Sequence, residues 1–249
     1  MRRYAILVTV LLAVAITAFP QAKPQPKPKS KGETTALQAV LAAQDPAGRI
    51  KAADDLLTKY ADTEFKSFAL YLVADSYAQL GNNDKAIVYS EQTLEADPKN
   101  YQAQTLLAKL YASTVKPTDL DKQEKLTKAG KYAADAIENL KTAEKPNPQL
   151  PDAEWTAMKN DFAGQSHLAL GIVAAYQNKM DDATANFTKV AEMDSDPVDL
   201  VRAGRVLLDL KKYAAAIPWF EKAAAFPGVP AQIKQIADSD IARAKAMLK

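Results

Sequence analysis

Apolar and small residues recur along this chain in two blocks of the same pattern, each about 34 residues long. In residues 67–100 they stand at i, i+3, i+4 and i+7 and then again after a turn: Leu70, Val73, Ala74, Tyr77, Ala86 and Thr93. Residues 197–230 carry the equivalent set: Leu200, Ala203, Gly204, Leu207, Ala216, Phe220 and Ala223. This spacing places the residues on one face of each of two helices. A helix pair repeated at this length predicts an all-α solenoid of helical hairpins.

The middle of the chain carries the same pattern with insertions. Residues 101–145 reach their signature alanine, Ala129, about nine residues later than the best copy does. We therefore expect an insertion at 116–124, in which Thr118 or Asp119 caps the following helix.

A second insertion, at 146–163, precedes the next recognisable hairpin within residues 146–196. Trp155 and Phe162 stand at i and i+7 in this stretch, which predicts that the first helix of the hairpin begins early. We expect Trp155 to pack locally, against the long helix near 120–141. The alternative is that its side chain anchors a partner.

The two ends of the array are less regular than its middle. Residues 33–66 form a degenerate first hairpin, in which Ala52 is in phase with Ala86. Residues 231–248 form a single amphipathic helix with one apolar stripe. Because no further hairpin follows, we expect this helix to cover the exposed end of the solenoid.

These hairpins resemble the tetratricopeptide repeat (TPR). That repeat has a large residue at position 4, leucine at 7, glycine or alanine at 8 and tyrosine at 11, followed by alanine at 20 and 27, a large residue at 24 and proline at 32. The resemblance covers about 33–230, although Ser90 stands at position 24 of the best copy. It implies a TPR-like solenoid of about five hairpins with a C-terminal capping helix, and a protein–protein interaction scaffold rather than an enzyme.

The resemblance also implies where a protein or peptide partner binds. TPR proteins hold ligands on the concave face, which positions 2, 5, 9, 12 and 13 of each first helix line. Matching residues of this chain form the predicted partner-binding set: Phe68, Tyr71, Asp75, Gln79, Lys109, Ile172, Tyr176, Arg205 and Asp209. The set lacks the lysine and asparagine clamp of chaperone-type repeats and suits an amphipathic helix or an extended peptide. Ile172 is equally compatible with the core between repeats.

The N-terminal segments differ in composition from the repeats. Arg2 and Arg3 precede an uncharged apolar run at 4–19, which is the layout of a secretory signal at 1–22 or, if it is not cleaved, of a membrane anchor. Residues 23–32 are rich in proline and lysine and predict an extended, solvated linker. We expect an exported, periplasmic protein of a bacterial cell envelope, anchored to the inner membrane only if the leader is retained.

Charge separates these segments from the helical domain at 33–249. The whole chain carries a net charge of +2, but six basic residues lie in its first 32 positions. The domain therefore has 26 basic and 30 acidic side chains, a net charge of −4 (26 − 30). An acidic domain argues against nucleic acid as a partner.

The sequence offers little material for catalysis. It contains no cysteine and one histidine, His167, which falls on position 4 of a hairpin, where a packing residue belongs. Asp181 and Asp182 begin a second helix, where the helix dipole favours negative charge. We therefore predict no catalytic residue, no metal site and no cofactor. Two other functions stay open: a membrane-tethered assembly subunit of an envelope or secretion complex and, more remotely, an enzyme on a helical scaffold.

Overall fold

The computed structural model describes residues 26–147, 149–193 and 196–248. These residues form eleven helices and no strand: α1 (Lys31–Ala42), α2 (Pro46–Lys59), α3 (Lys66–Gln79), α4 (Asn83–Ala96), α5 (Tyr101–Thr114), α6 (Lys122–Lys141), α7 (Asp152–Tyr176), α8 (Met180–Met193), α9 (Pro197–Asp209), α10 (Tyr213–Ala224) and α11 (Ala231–Ala246). Consecutive helices pair into five hairpins, and α11 packs against α9 and α10. The predicted fold class, an all-α solenoid of helical hairpins, is confirmed. The leader at 1–22 lies outside the described residues.

Polar side chains fix where several helices begin. Ser30, Asp45, Asn82 and Asn100 each accept a hydrogen bond from the backbone nitrogen three residues ahead, at 3.1, 2.8, 3.2 and 2.9 Å. Each side chain satisfies one of the backbone N–H groups that have no partner within the first turn of a helix. The starts of α1, α2, α4 and α5 are therefore encoded locally.

The helix cap predicted at Thr118 or Asp119 is wrong. α6 follows Asp121, whose side chain makes no capping hydrogen bond. Asp119 instead accepts hydrogen bonds from the backbone nitrogen of Lys116 at 3.1 Å and from Lys125 Nζ at 3.0 Å. Its carboxylate thus closes the inserted loop onto α6 and does not cap the helix.

The signature alanines lie where the two helices of a hairpin meet. Those of the last four hairpins have no exposed surface: Ala86, Ala129, Ala183 and Ala216. Because alanine has only a methyl group, it allows the two helices to approach closely. In the first hairpin Ala53 has no exposed surface, whereas Ala52 is half-buried. The contact residue of α2 therefore stands one position later than the sequence predicted.

The fourth and fifth hairpins close on a glycine and a phenylalanine. Gly171 of α7 faces Phe187 of α8, and Gly204 of α9 faces Phe220 of α10. Neither phenylalanine ring has any exposed surface. A Cβ atom added at Gly204 would lie 2.6 Å from Cε1 of Phe220, which is closer than carbon atoms pack. Glycine is required here by the close approach of the ring.

The second and third hairpins carry stacked tyrosines instead. Tyr77 stacks on Tyr89 with ring centroids 5.4 Å apart, and Tyr111 stacks on Tyr132 at 6.2 Å. A lysine ammonium lies over Tyr77 at 5.0 Å from the ring centroid, and in the other pair a lysine lies over each ring, at 5.2 and 5.1 Å. The paired tyrosines are 12 positions apart in the second hairpin (89 − 77) and 21 in the third (132 − 111). Of these nine extra residues, one lengthens the end of α5, four lie in the loop between α5 and α6, and four add about one turn to the start of α6.

Candidate functional site

The concave-face residues of α3 are partly accessible. Phe68 is 36% exposed and Gln79 is exposed, whereas Tyr71 and Asp75 are half-buried. Gln79 Nε2 donates a hydrogen bond to Asp75 Oδ2 at 2.6 Å. This row of α3 therefore presents an aromatic surface beside polar groups, a combination that is common in protein interfaces.

α7 is 25 residues long, so its first turns extend beyond the hairpin. Trp155 is 6% exposed, and Tyr101 of α5 lies beside it with ring centroids 6.4 Å apart. Tyr101 also meets Phe162 edge-on, with centroids 5.2 Å apart. Edge-on contacts of this kind are favourable for aromatic rings. Trp155 is buried, as predicted, but the ring it meets belongs to α5 and not to the long helix α6, against which it was expected to pack.

Tyr71, a residue of the predicted concave face, interacts electrostatically with groups on neighbouring helices. Burial raises the pKa of its phenol, and the neighbouring groups Asp75, Tyr101 and Asp161 raise it further. Asp161 lies on α7, so this part of the effect on the Tyr71 phenol comes from the charge of the extended helix. Sequence reasoning missed Tyr101 and Asp161, since the helical spacing of the extension does not indicate which earlier helix it approaches.

Leu41 is a second residue that sequence reasoning missed. It is 66% exposed and lies near the end of α1. The alignment of 33–66 places it at position 9, which is the position of Asp75 in the second hairpin. The repeat spacing could therefore have indicated Leu41 as a candidate residue of the concave face.

Two predicted residues of α7 are engaged within the chain. Ile172 is 4% exposed and belongs to the core between repeats. The Tyr176 hydroxyl donates a hydrogen bond to the backbone oxygen of Val115 at 2.8 Å. Burial raises the pKa of the Tyr176 phenol, and the carboxylates of Asp209 and Asp119 raise it further. Tyr176 thus holds the start of the inserted loop.

The other predicted residues also have neighbours of their own. Lys109 Nζ lies 3.5 Å from Gln165 Oε1, which links α5 to α7. Arg205 Nε donates to Asp240 Oδ2 at 2.7 Å, which links α9 to the capping helix α11. Asp209 is exposed. Within the predicted set, the accessible aromatic surface is therefore concentrated on α3.

A groove of about 1350 Å³ opens at the edge of the solenoid, where the loops between hairpins come together. We call it the edge groove; its main lining residues come from 63–68, 95–102 and 139–146. Phe65, Phe68 and Tyr101 supply aromatic surface. Four carboxylates and two lysines give the groove a net charge of −2 (2 − 4): Glu64, Glu95, Asp97, Glu144, Lys66 and Lys99.

Hydrogen bonds between side chains hold the walls of the edge groove together. Asn100 Nδ2 donates to Ser67 Oγ at 3.1 Å, which links the second hairpin to the third. Gln104, which is 3% exposed, donates to the backbone oxygen of Pro98 at 2.9 Å and accepts from Asn139 Nδ2 at 3.0 Å. A buried amide with both ends bonded is a rigid element. The groove is therefore built into the packing of two hairpins.

His167 is a packing residue in the structure. It is 6% exposed, and its Nδ1 lies 2.9 Å from Asn186 Oδ1. Burial lowers the pKa of its imidazole, although the hydrogen bond to Asn186 opposes that shift. Within 26–147, 149–193 and 196–248, no group of three or more histidine, aspartate or glutamate side chains is placed to hold a metal ion. No helix formed by these residues is long and apolar enough to cross a membrane.

Two family models, each described as a tetratricopeptide repeat, match residues 69–100 and 168–230. The first covers α3 and α4, and the second covers the two hairpins that close on glycine and phenylalanine. Residues 69–100 and 168–230 therefore match tetratricopeptide repeats, and such repeats imply a protein–protein interaction scaffold. No curated protein matches the chain.

A solved structure supports the fold. A crystal structure of a thermophilic TPR protein in Thermus thermophilus matches with a TM-score of 0.56 at 16% sequence identity, covering 84% of this chain and 99% of that one. The assembly chaperone of RpL4 matches with a TM-score of 0.38 at 12% identity, covering 88% of this chain and 97% of that one. At these identities the first likeness concerns the fold alone.

Proposed function

We propose that this protein is a non-enzymatic scaffold of the bacterial cell envelope that binds a peptide or a helix of a protein partner on its concave face. The observation that carries this site is the α3 row, where Phe68 is 36% exposed beside half-buried Tyr71 and exposed Gln79. Aromatic side chains beside polar groups are typical energetic centres of an interface.

The site is centred on α3 because several of the other predicted concave-face residues serve the fold. Tyr176 is bonded to Val115, Arg205 to Asp240, and Ile172 is buried. Replacing these residues would disturb the packing between hairpins as well as any interface. Variants on α3 separate the two effects better.

The test is quantitative affinity capture from the envelope fraction of the native cell, with a tag on the full chain. We expect Phe68→Ala with Gln79→Ala to lose most of the partner protein that the unmodified chain retains. The matched control is Val88→Ala on α4, which removes a 49% exposed apolar side chain from the second helix of the same hairpin. Equal capture by all three proteins, with unchanged helical circular dichroism, contradicts a concave-face site.

Export is tested separately, by the mass of the mature N-terminus. A chain that begins at Phe19 or Lys23 has lost a signal, which supports an exported, periplasmic scaffold. A chain that retains Met1 supports the membrane-tethered assembly subunit, with residues 4–19 as anchor. Recovery of the protein only from the cytoplasmic fraction would contradict both.

A further inference from the structure

The end of the proline- and lysine-rich segment is held firmly on the folded domain. Lys29 Nζ donates hydrogen bonds to the backbone oxygen and a carboxylate oxygen of Asp62, at 2.6 and 2.8 Å. The backbone nitrogen of Lys29 donates to Glu33 at 2.6 Å. Glu33 is 1% exposed and also accepts from the hydroxyl of Thr63 at 2.6 Å. A charged side chain that is buried and fully bonded fixes the path of the segment.

The held segment leads into the edge groove. The backbone nitrogen of Lys27 donates to Glu64 Oε2 at 3.1 Å, and Glu64 is a lining residue of the groove. Pro26 itself lines the groove. An extended basic chain with alternating prolines therefore already contacts one end of this surface.

The rest of the groove has unused surface of matching chemistry. Glu95 and Glu144 are exposed, and neither carboxylate pairs with a cation in the described part of the chain. Phe65 and Phe68 line the groove beside Lys27's partner, Glu64. Aromatic rings along a groove are the usual receptors for extended proline-containing peptides, and free carboxylates attract lysine.

We propose that the edge groove binds an extended, lysine- and proline-rich peptide of a partner protein, and that residues 26–29 of this chain occupy one end of the same site. This surface adjoins the concave face of the proposed function and shares Phe68 with it. A partner peptide of this chemistry binds with its lysines on Glu95 and Glu144, while its prolines lie against the aromatic wall. The chain's own segment competes with it at Glu64.

The test uses a fluorescent peptide that copies residues 23–31, Lys-Pro-Gln-Pro-Lys-Pro-Lys-Ser-Lys, and the full chain at low ionic strength, with binding followed by anisotropy. We expect Glu95→Gln with Glu144→Gln to weaken binding about three- to tenfold, since each exposed ion pair contributes modestly. The matched control, Glu192→Gln with Glu221→Gln, removes two exposed carboxylates outside the groove and should change binding less than twofold, by about the long-range charge effect alone.

A second comparison tests the competing segment. Lys29→Ala breaks the ion pair with Asp62 and loosens the segment, so the peptide should bind more tightly than it does to Lys31→Ala. Both variants remove one positive charge, and only Lys29 pairs with Asp62. Variants of the peptide with alanine in place of proline should bind several times more weakly.

Three results would overturn the proposal: no binding of the peptide by the unmodified chain at millimolar concentration, equal weakening by the groove and control variants, or tighter binding of a helix-forming alanine–lysine peptide. Thermal unfolding followed by circular dichroism checks that every variant is folded. The groove variants change Glu95 and Glu144 and leave Phe68 and Gln79 in place, so failure of the groove and failure of the concave-face site are recognised independently.

Discussion

The fifth hairpin encloses an aromatic ring between its helices, whereas the second hairpin encloses small side chains and stacks its rings outside. Phe220 fills the space next to Gly204 and has no exposed surface. Ser90 stands at the equivalent position of the second hairpin, and the half-buried rings of Tyr77 and Tyr89 stack instead. The same repeat pattern can thus be stabilised by a ring buried between the two helices or by rings stacked at their edge. Substitutions distinguish the two cases.

The largest expected effect comes from emptying the interior of the fifth hairpin. Phe220→Ala leaves a cavity and should lower the free energy of unfolding by about 3–5 kcal/mol. Tyr89→Ala in the second hairpin should cost less, because its ring is already half-exposed and water can refill the space. Urea unfolding followed at 222 nm measures both. Equal losses would mean that the buried ring of Phe220 and the half-exposed ring of Tyr89 contribute equally to stability.

Filling the same space should also destabilise the protein. Gly204→Ala places a methyl group against the Phe220 ring, and overpacking of this kind costs about 1–3 kcal/mol. Gly130→Ala in α6 is the matched control, because its added Cβ would lie 3.8 Å from Val173, an ordinary contact. Alanine favours a helix over glycine, so the control should gain about 0.5–1 kcal/mol. A gain in the free energy of unfolding at both positions would show that the Phe220 ring moves to accommodate the added methyl group.

A smaller effect is expected at the interior of the second hairpin. Ser90 Oγ is buried and has no hydrogen-bond partner among the described residues. Ser90→Ala removes an unsatisfied polar atom and should raise the free energy of unfolding by about 1 kcal/mol. The same urea titration measures it, and destabilisation by this change would reveal a partner for the hydroxyl.

The sequence predicts the hairpins well because their contacts are local. Ala86, Ala183 and the glycines at position 8 were identified from spacing alone, and the structure buries them where two consecutive helices meet. The alignment was wrong by one position at Ala52, because the first hairpin has no preceding repeat to constrain α2. A repeat spacing of 34 residues predicts which helices pair. It does not predict which part of the fold an inserted segment contacts.

The candidate site was less predictable for the same reason. The repeat alignment correctly placed Tyr176 and Arg205 in the first helices of their hairpins. It could not show that the inserted loop brings Val115 to Tyr176, or that the capping helix brings Asp240 to Arg205. The edge groove escaped sequence reasoning entirely. It is formed by loops of several hairpins and by the Asn100–Ser67 hydrogen bond, which joins residues 33 positions apart.

The smallest expected effect is a pH dependence confined to the fourth hairpin. His167 occupies the position that Leu70 fills in the second hairpin, and burial lowers the pKa of its imidazole. The unfolded chain therefore binds the proton more readily, at an ordinary pKa of about 6.5. Its contribution to stability is complete above that pH and is lost as the pH falls through the lowered folded-state value.

This component is measurable because the chain has a single histidine. The free energy of unfolding of the unmodified chain should fall between pH 7 and pH 5 more steeply than that of His167→Leu. The carboxylates titrate alike in both proteins and cancel in the difference. A flat difference between the two curves would mean that the imidazole is charged equally easily in both states.

The length of α7 changes how the solenoid unfolds. In a regular repeat protein each repeat contacts only its neighbours. Its unfolding is therefore governed by the stability of single repeats and by the interfaces between adjacent repeats. The first turns of α7 pack on Tyr101 of α5, in the third hairpin, in addition to the contacts between α6 and α7. This additional contact strengthens the coupling between the third and fourth hairpins, so we expect these two to unfold together as one cooperative block.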